Sequence, residues 1–295
     1  MIRVRNIRKS FDGKVVLKDV SFEIEPGTIY GLIGINGTGK TTLMNIMTGL
    51  LDADGGECEF TDGDKRLKVG YLPDLASFYD YLNTDEYLDL LLTDSDPGKR
   101  DELLSRVSLS SGIRIGKMSR GMRQRLGIAA VLAGDPDVIL LDEPTSALDP
   151  AGRNDVREIM MDLKAAGKTI ILSTHVLADM DSICDNAGFL HNGIIVREVD
   201  VRENKNTVTG FAVRFEKDID GSVFSDLGDM ACIVDEKTVE FTLDEKDLLK
   251  SQQNIFGKLS KSDVVIESIY TTTPDLEHIF KDVIAVKSGD NFRLQ

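Results

Sequence analysis

Cysteine is scarce in this 295-residue chain: Cys58, Cys184 and Cys232 stand far apart with no paired spacing. That excludes a disulfide scaffold and a cysteine zinc site, suits a reducing compartment, and leaves the three as small apolar residues expected to be buried. Long hydrophobic runs are missing too. Stretches such as Ile128 to Ala133 and Val138 to Leu141 fall far short of the ~20 residues that a membrane-spanning helix needs, so any membrane role requires another chain. The N-terminal MIRVRNIRKSF alternates apolar and charged residues like a strand, with no signal-type apolar segment behind its basic residues. Secretion is therefore not expected. Cations are outnumbered, 35 Lys and Arg against 50 Asp and Glu, for a net charge of −15. A surface of that sign repels phosphate backbones and anionic headgroups, and no nucleic acid is expected as the main partner. Repeats and low-complexity segments are absent from the sequence.

What is present is ordinary for a folded protein: 41% hydrophobic and 29% charged residues, in a length that suits one large or two modest domains. Up to about residue 200, short apolar runs at Thr28 to Ile33, Leu67 to Leu72, Val138 to Leu141 and Thr169 to Ser173 alternate with helical patterns at Thr42 to Leu50 and Gly152 to Ala166. Continuous apolar strands are buried on both faces, which predicts an α/β fold with a mainly parallel sheet covered by helices. Met1 to Glu25 alternates instead and predicts antiparallel strands. Between Leu75 and Met118 the pattern turns helical, at Thr84 to Leu92 and Lys99 to Val107, which reads as an insertion within about 75–135. The charged stretch Arg197 to Asn206 marks a boundary between a domain of residues 1–200 and a small α/β domain of 201–295. In the latter, Phe211 to Phe215, a hairpin of Ala231 to Val234 and Val239 to Leu243, and Val264 to Tyr270 read as strands. Asp244 to Leu259 and a segment from Thr273 and Pro274 to Ile284 read as helices.

Residues 34–42 read GINGTGKTT, directly behind a strand and ahead of an amphipathic helix. This is the phosphate-loop pattern. Gly34, Gly37 and Gly39 let the backbone turn its N–H groups toward phosphate oxygens, and the following helix presents its positive end to the same anion; Asn36, Thr38 and Thr42 complete the cradle. Lys40 then neutralises β/γ charge and Thr41 can ligate Mg²⁺. Chance would place such a pattern in this chain on the order of one time in a hundred. The second Gly-Lys-Thr, at Gly167 to Thr169, lacks the leading glycine and joins helix to strand, so it reads as a helix terminator.

VILLDE at 138–143 delivers two carboxylates to the C-terminal end of a strand, where α/β sheets bind ligands. Asp142 would hold the Mg²⁺ shell, and Glu143, pointing the other way, would orient the attacking water. The strand Thr169 to Thr174 ends at His175, which a parallel neighbour of the Asp142 strand would bring to the γ-phosphate. Within SALDP at 146–150, Asp149 reads as a helix cap, as a contact across a dimer, or as both at once.

Taken in order, these motifs resemble the ATP-binding cassette family, and within it the ATPase subunits of bacterial and archaeal exporters, over the first 200 residues. SRGMRQRL at 119–126 is similar to the family signature and STHVLADMD to its switch-histidine segment. The resemblance implies ATP and Mg²⁺ as ligands, Lys40, Glu143 and His175 as catalytic residues, and Phe11 as the ring covering adenine, for which an apolar core position is the rival reading. It further implies that Ser119 and Gly121 contact nucleotide held by a second subunit, that Asp149 touches that subunit, and that a separately encoded membrane permease completes the transporter at the cytoplasmic face of the membrane. Ser119 as a plain helix cap is the alternative. Two positions depart from the family pattern: Asp74 stands where its glutamine would ligate Mg²⁺, and Met118, Arg120 and Met122 replace the commonest signature residues, Arg120 adding positive charge. The C-terminal domain is similar to small appendages of such subunits and carries no motif for chemistry. A soluble cassette acting on ribosomes or DNA is disfavoured by the single phosphate loop, the lack of a heptad run and the acidic charge. A small-molecule kinase is disfavoured by the signature.

Overall fold

Three strands with no polar face are buried end to end: β3 (Ile29–Ile33), β7 (Val138–Asp142) and β8 (Thr169–Thr174). With β6 (Val69–Leu72) and β9 (Asn186–His191) they form a parallel array in the order β6-β7-β8-β3-β9, as runs buried on both faces require. The computed structural model describes residues 1–92, 96–146, 148–206, 210–219, 223–224, 227, 230–243, 248–262, 264–272, 276 and 279–280.

The alternating N-terminal segment forms β1 (Ile2–Phe11) and β2 (Lys14–Ile24), antiparallel to each other. β4 (Gly55–Asp62) and the short β5 (Lys65–Arg66) extend that end. β10 (Ile194–Asp200) turns back antiparallel on β9 and bridges to β2, which joins the two halves into one sheet of 10 strands. Helix α1 (Lys40–Met47) covers this sheet, packing Leu43 and Met44 against Leu32, Leu140 and Ile171. The insertion consists of α2 (Thr84–Asp89), α3 (Pro97–Arg106), a single 3-10 turn and α4 (Arg120–Ala133). Asn83 and Glu86 cap α2 reciprocally, satisfying the orphan N–H groups of a short helix that could not form alone. After β7 comes α5 (Pro150–Ala165), and after β8 the short α6 (Leu177–Asp181). No helix among the described residues is long and apolar enough to cross a membrane.

The chain divides into two compact units, Met1–Val201 and a second that begins at Arg202; α7 (Val201–Asn206) spans the change. The second unit holds a four-stranded antiparallel sheet, β12 (Ala231–Asp235), β13 (Thr238–Thr242), β11 (Gly210–Phe215) and β14 (Ile266–Thr272) in that order. Phe211, Val213, Phe215, Val239 and Phe241 form its core with Ile255 and Leu259 of α8 (Leu248–Leu259). β14 begins two residues later than the sequence pattern suggests. Residues 244–247 of the expected helix, and most of the one expected from Thr273 to Ile284 with Asp275, Glu277 and His278, lie outside the described residues. The cysteines do not behave alike. Cys184 is buried, Cys58 is half-buried with its thiol pushed up to about 11 by burial, and Cys232 is exposed. That corrects the expectation of three buried thiols: β12 is an edge strand whose last four residues all face solvent.

Candidate nucleotide-binding site

The loop between β3 and α1 depends on glycine for steric reasons. Gly37 and Gly39 adopt φ of +83° and +104°, a region that a side chain disfavours. A Cβ on Gly39 would lie 2.8 Å from Leu17 Cδ2, and one on Gly34 would lie 2.6 Å from the Leu190 carbonyl oxygen. Gly39 caps α1 without any side-chain hydrogen bond, so the N–H groups of the first turn are offered to an external anion rather than to the chain. Thr38 Oγ1 donates to the Ile35 carbonyl at 2.9 Å, Asn36 and Thr41 are exposed and Thr42 is half-buried. Lys40 is 6% exposed, and its ammonium donates to the Gly34 carbonyl at 2.7 Å and the Ile35 carbonyl at 3.4 Å.

The acids come from β7, two strands away. Asp142 is 1% exposed, and the Ser173 hydroxyl on β8, its direct neighbour in register, donates to Oδ1. Glu143 then leaves the strand at φ +50°. Its amide donates to the Ser173 carbonyl at 3.1 Å and to Ser173 Oγ at 3.0 Å. This left-handed step, rather than strand alternation, aims the carboxylate: Oε2 lies 2.8 Å from His175 Nδ1 and Oε1 lies 3.3 Å from Lys40 Nζ. The three residues read as catalytic from sequence therefore meet in one row. Ser173, which fixes both acids, was not legible, because a serine at a strand end carries no pattern of its own.

Asp142 Oδ2 and the Tyr71 hydroxyl are buried without a hydrogen-bond partner among the described residues. Burial first, then the charges of Asp142 and Asp74, hold the Tyr71 phenol far above its ordinary value. A buried, uncompensated carboxylate oxygen costs several kcal/mol, and a hydrated divalent cation offsets it through hard oxygen donors. The donor set therefore fits Mg²⁺. Among the described residues no group of three or more His, Cys, Asp or Glu converges into a self-contained cage, so such a cation would complete its shell from phosphate and water.

The remaining candidates lie on other elements. Phe11 is 43% exposed with Lys9 Nζ 5.5 Å from its ring centroid, which removes the core reading and leaves a free aromatic face. Ser119 caps α4, accepting from the Met122 amide at 3.2 Å, and Asp149 caps α5, accepting from the Gly152 amide at 3.0 Å. Gly121 lies in the first turn of α4, where an added Cβ would meet only Leu148 Cδ2 at 3.8 Å. Ser119, Gly121 and Asp149 make no hydrogen bond to the phosphate loop among the described residues. Asp74, in the loop after β6, accepts from Ser146 Oγ at 3.2 Å and lies 3.8 Å from Arg120 Nη2. Arg120 thus sits beside an acid of its own chain.

Comparison with known proteins agrees with this geometry. The family profile for ABC transporter matches residues 17–146. An uncharacterized ABC transporter ATP-binding protein of Synechocystis is 39% identical over 214 residues, 67% of this chain and 60% of that protein. The lantibiotic transport ATP-binding protein SrtF of Streptococcus pyogenes is 34% identical over 228 residues, 74% of this chain and 99% of that one. Among solved structures, a dimeric ATP-binding cassette in a post-hydrolysis state with ADP and Pi is similar at 26% identity and a TM-score of 0.61, over 68% of this chain and 99% of that one. With a phosphate loop facing the acids Asp142 and Glu143 and this degree of likeness across a whole relative, the chain belongs to the ABC transporter family as an ATP-binding, ATP-hydrolysing member.

Proposed function

We propose that this chain powers export through a separately encoded membrane permease, pairing with a second ATPase subunit, identical or homologous, around two ATP molecules at the cytoplasmic face of the membrane. The observation that carries the proposal is Glu143 seated between Lys40 and His175 at the mouth of the phosphate loop. Gly34, Asn36, Gly37, Thr38, Gly39 and Thr42 bind phosphate through the loop, Lys40 neutralises β/γ charge and Phe11 covers the adenine. Thr41 and Asp142 would hold Mg²⁺, which would withdraw charge from the phosphates; Asp74, the other acid expected at this cation, pairs within the single chain with Arg120 and Ser146. Glu143 positions the attacking water, and His175 fixes the Glu143 carboxylate from its outer side. Ser119 and Gly121 meet the nucleotide of the partner subunit and Asp149 lies against that subunit. Binding of the γ-phosphate favours the paired state and hydrolysis releases it.

An apolar surface supports the permease. Leu75, Tyr79, Tyr81, Leu90 and Leu91 are exposed around the insertion, beside a hollow of about 300 Å³ lined by Pro73, Phe78, Tyr87 and Val131. Patches of this kind mark protein contacts. The transport named for SrtF supports the outward direction.

Replacing Glu143 with Gln keeps the shape and removes the charge. Turnover should fall by about 10² or more while ATP binding persists; turnover at the parent rate would refute the assignment. Purification from membranes in mild detergent should yield a polytopic membrane protein, and recovery of ribosomal or DNA-bound proteins alone would refute the transport reading.

A further inference from the structure

Arg120 is the first residue of α4, a helix with no acid in its first turn. A cation there opposes the positive end of the helix dipole and needs an anion beside it. Within the chain that anion is Asp74, 3.8 Å away, whose carboxylate is oriented by the Ser146 hydroxyl at 3.2 Å. Ser146 in turn closes the loop that follows β7, its amide donating to the Glu143 carbonyl at 3.1 Å. A continuous set of contacts therefore runs from Glu143 through Ser146 and Asp74 to the start of α4.

The other cations of α4 are held differently. Arg123 lies 2.9 Å from Asp80, and Arg125 lies 3.3 Å from Asp155 while donating to the Ser108 carbonyl at 3.0 Å. The Arg120–Asp74 pair is the longest of the three, with side chains 54% and 41% exposed. Exposed pairs are screened and cheap to open, so Arg120 can leave Asp74 while Arg125, 17% exposed and also bonded to the Ser108 carbonyl, keeps α4 docked.

We propose that Asp74 is an electrostatic latch on Arg120, holding this guanidinium within its own chain until two chains close, when Arg120 transfers to the phosphates of the nucleotide in the partner subunit. The proposal rests on the reading that α4 faces a partner's nucleotide. Asp74 thereby opposes closure and Arg120 favours it, so the two substitutions act with opposite sign. A merely structural pair would shift closure in the same direction from either side.

The test is ATP-dependent dimerisation of the full chain carrying Glu143→Gln, followed by sedimentation with ATP and Mg²⁺. Asp74→Asn should tighten the dimer two- to five-fold, about the amount that freeing an exposed ion pair returns, and Ser146→Ala should do so more weakly. Arg120→Ala should loosen it about ten-fold, Arg120→Lys should restore part of the loss, and Asp74→Asn should have no effect once Arg120 is Ala. Unchanged melting temperatures keep folding out of the comparison. A dimer that Asp74→Asn weakens, or still tightens without Arg120, overturns the latch alone. A parent chain that stays monomeric with ATP overturns the dimer reading and the latch with it.

Discussion

Gly39 shows how narrowly the phosphate loop is specified at the level of one residue. Its φ of +104° and the 2.8 Å separation between a built Cβ and Leu17 Cδ2 act together, since relief of the clash would still leave the strained backbone. Gly39→Ala should abolish ATP binding and lower stability by about 1–3 kcal/mol, as checked by nucleotide titration and thermal melting. Glu198 offers a residue-level test of a different force. The Tyr30 hydroxyl donates to its Oε1 at 2.8 Å, yet desolvation dominates and holds the Glu198 carboxyl above its ordinary value. A raised carboxyl pKa means that the fold keeps this proton more tightly than the unfolded chain. Its contribution to stability is therefore full in acid and is lost as pH rises through the folded value. Glu198→Gln, which stays neutral, should melt slightly above the parent near neutral pH, the gain kept small because the residue is partly open to solvent, and the gain should vanish in acid; a gain that grew in acid would contradict desolvation as the cause.

Elements are fastened by a few polar groups that apolar patterning does not reveal. Asp185 is buried at the start of β9, where Oδ2 accepts from the Ile29 amide of β3 at 2.8 Å and Oδ1 receives Lys164 of α5 at 2.6 Å. One carboxylate thus fixes the strand that feeds the phosphate loop to the helix behind the acid pair. Asp185→Ala leaves Lys164 and an amide without that partner, and should lower unfolding stability by about 3–5 kcal/mol, measurable by urea titration. The central strands and α1, α4 and α5 were legible from sequence, because apolar runs and caps such as Ser119 and Asp149 are local signals. β4, β9 and β10 were not. NAGFLH and IIVREVD carry no strict alternation; they pair with each other as a hairpin across Asn192-Gly193, a local turn signal the apolar pattern does not show, and only β9 pairs at length with a distant strand, β3.

For the whole molecule the governing quantity is charge. A net charge of −15 on each chain makes two chains repel over a distance set by the Debye length, about 10 Å at 0.1 M salt. Association of ATP-loaded chains should therefore speed up as ionic strength rises from about 0.02 to 0.2 M, which stopped-flow light scattering can follow. A fall in rate would show that local cations, Arg120 among them, outweigh the net charge at the contact.

The phosphate loop, the acid pair, the signature segment and the parallel α/β core were determined by the sequence itself, because each is written in adjacent residues whose backbone geometry and burial follow from local chemistry. The strand order was decided only in three dimensions, and with it every contact that turns these motifs into a site. Glu143 between Lys40 and His175, Ser173 beneath both acids, and Asp74 against Arg120 join residues 30 to more than 100 positions apart. Periodicity tells a strand which face to bury and leaves its neighbour undetermined. That choice is settled by the packing of the entire sheet.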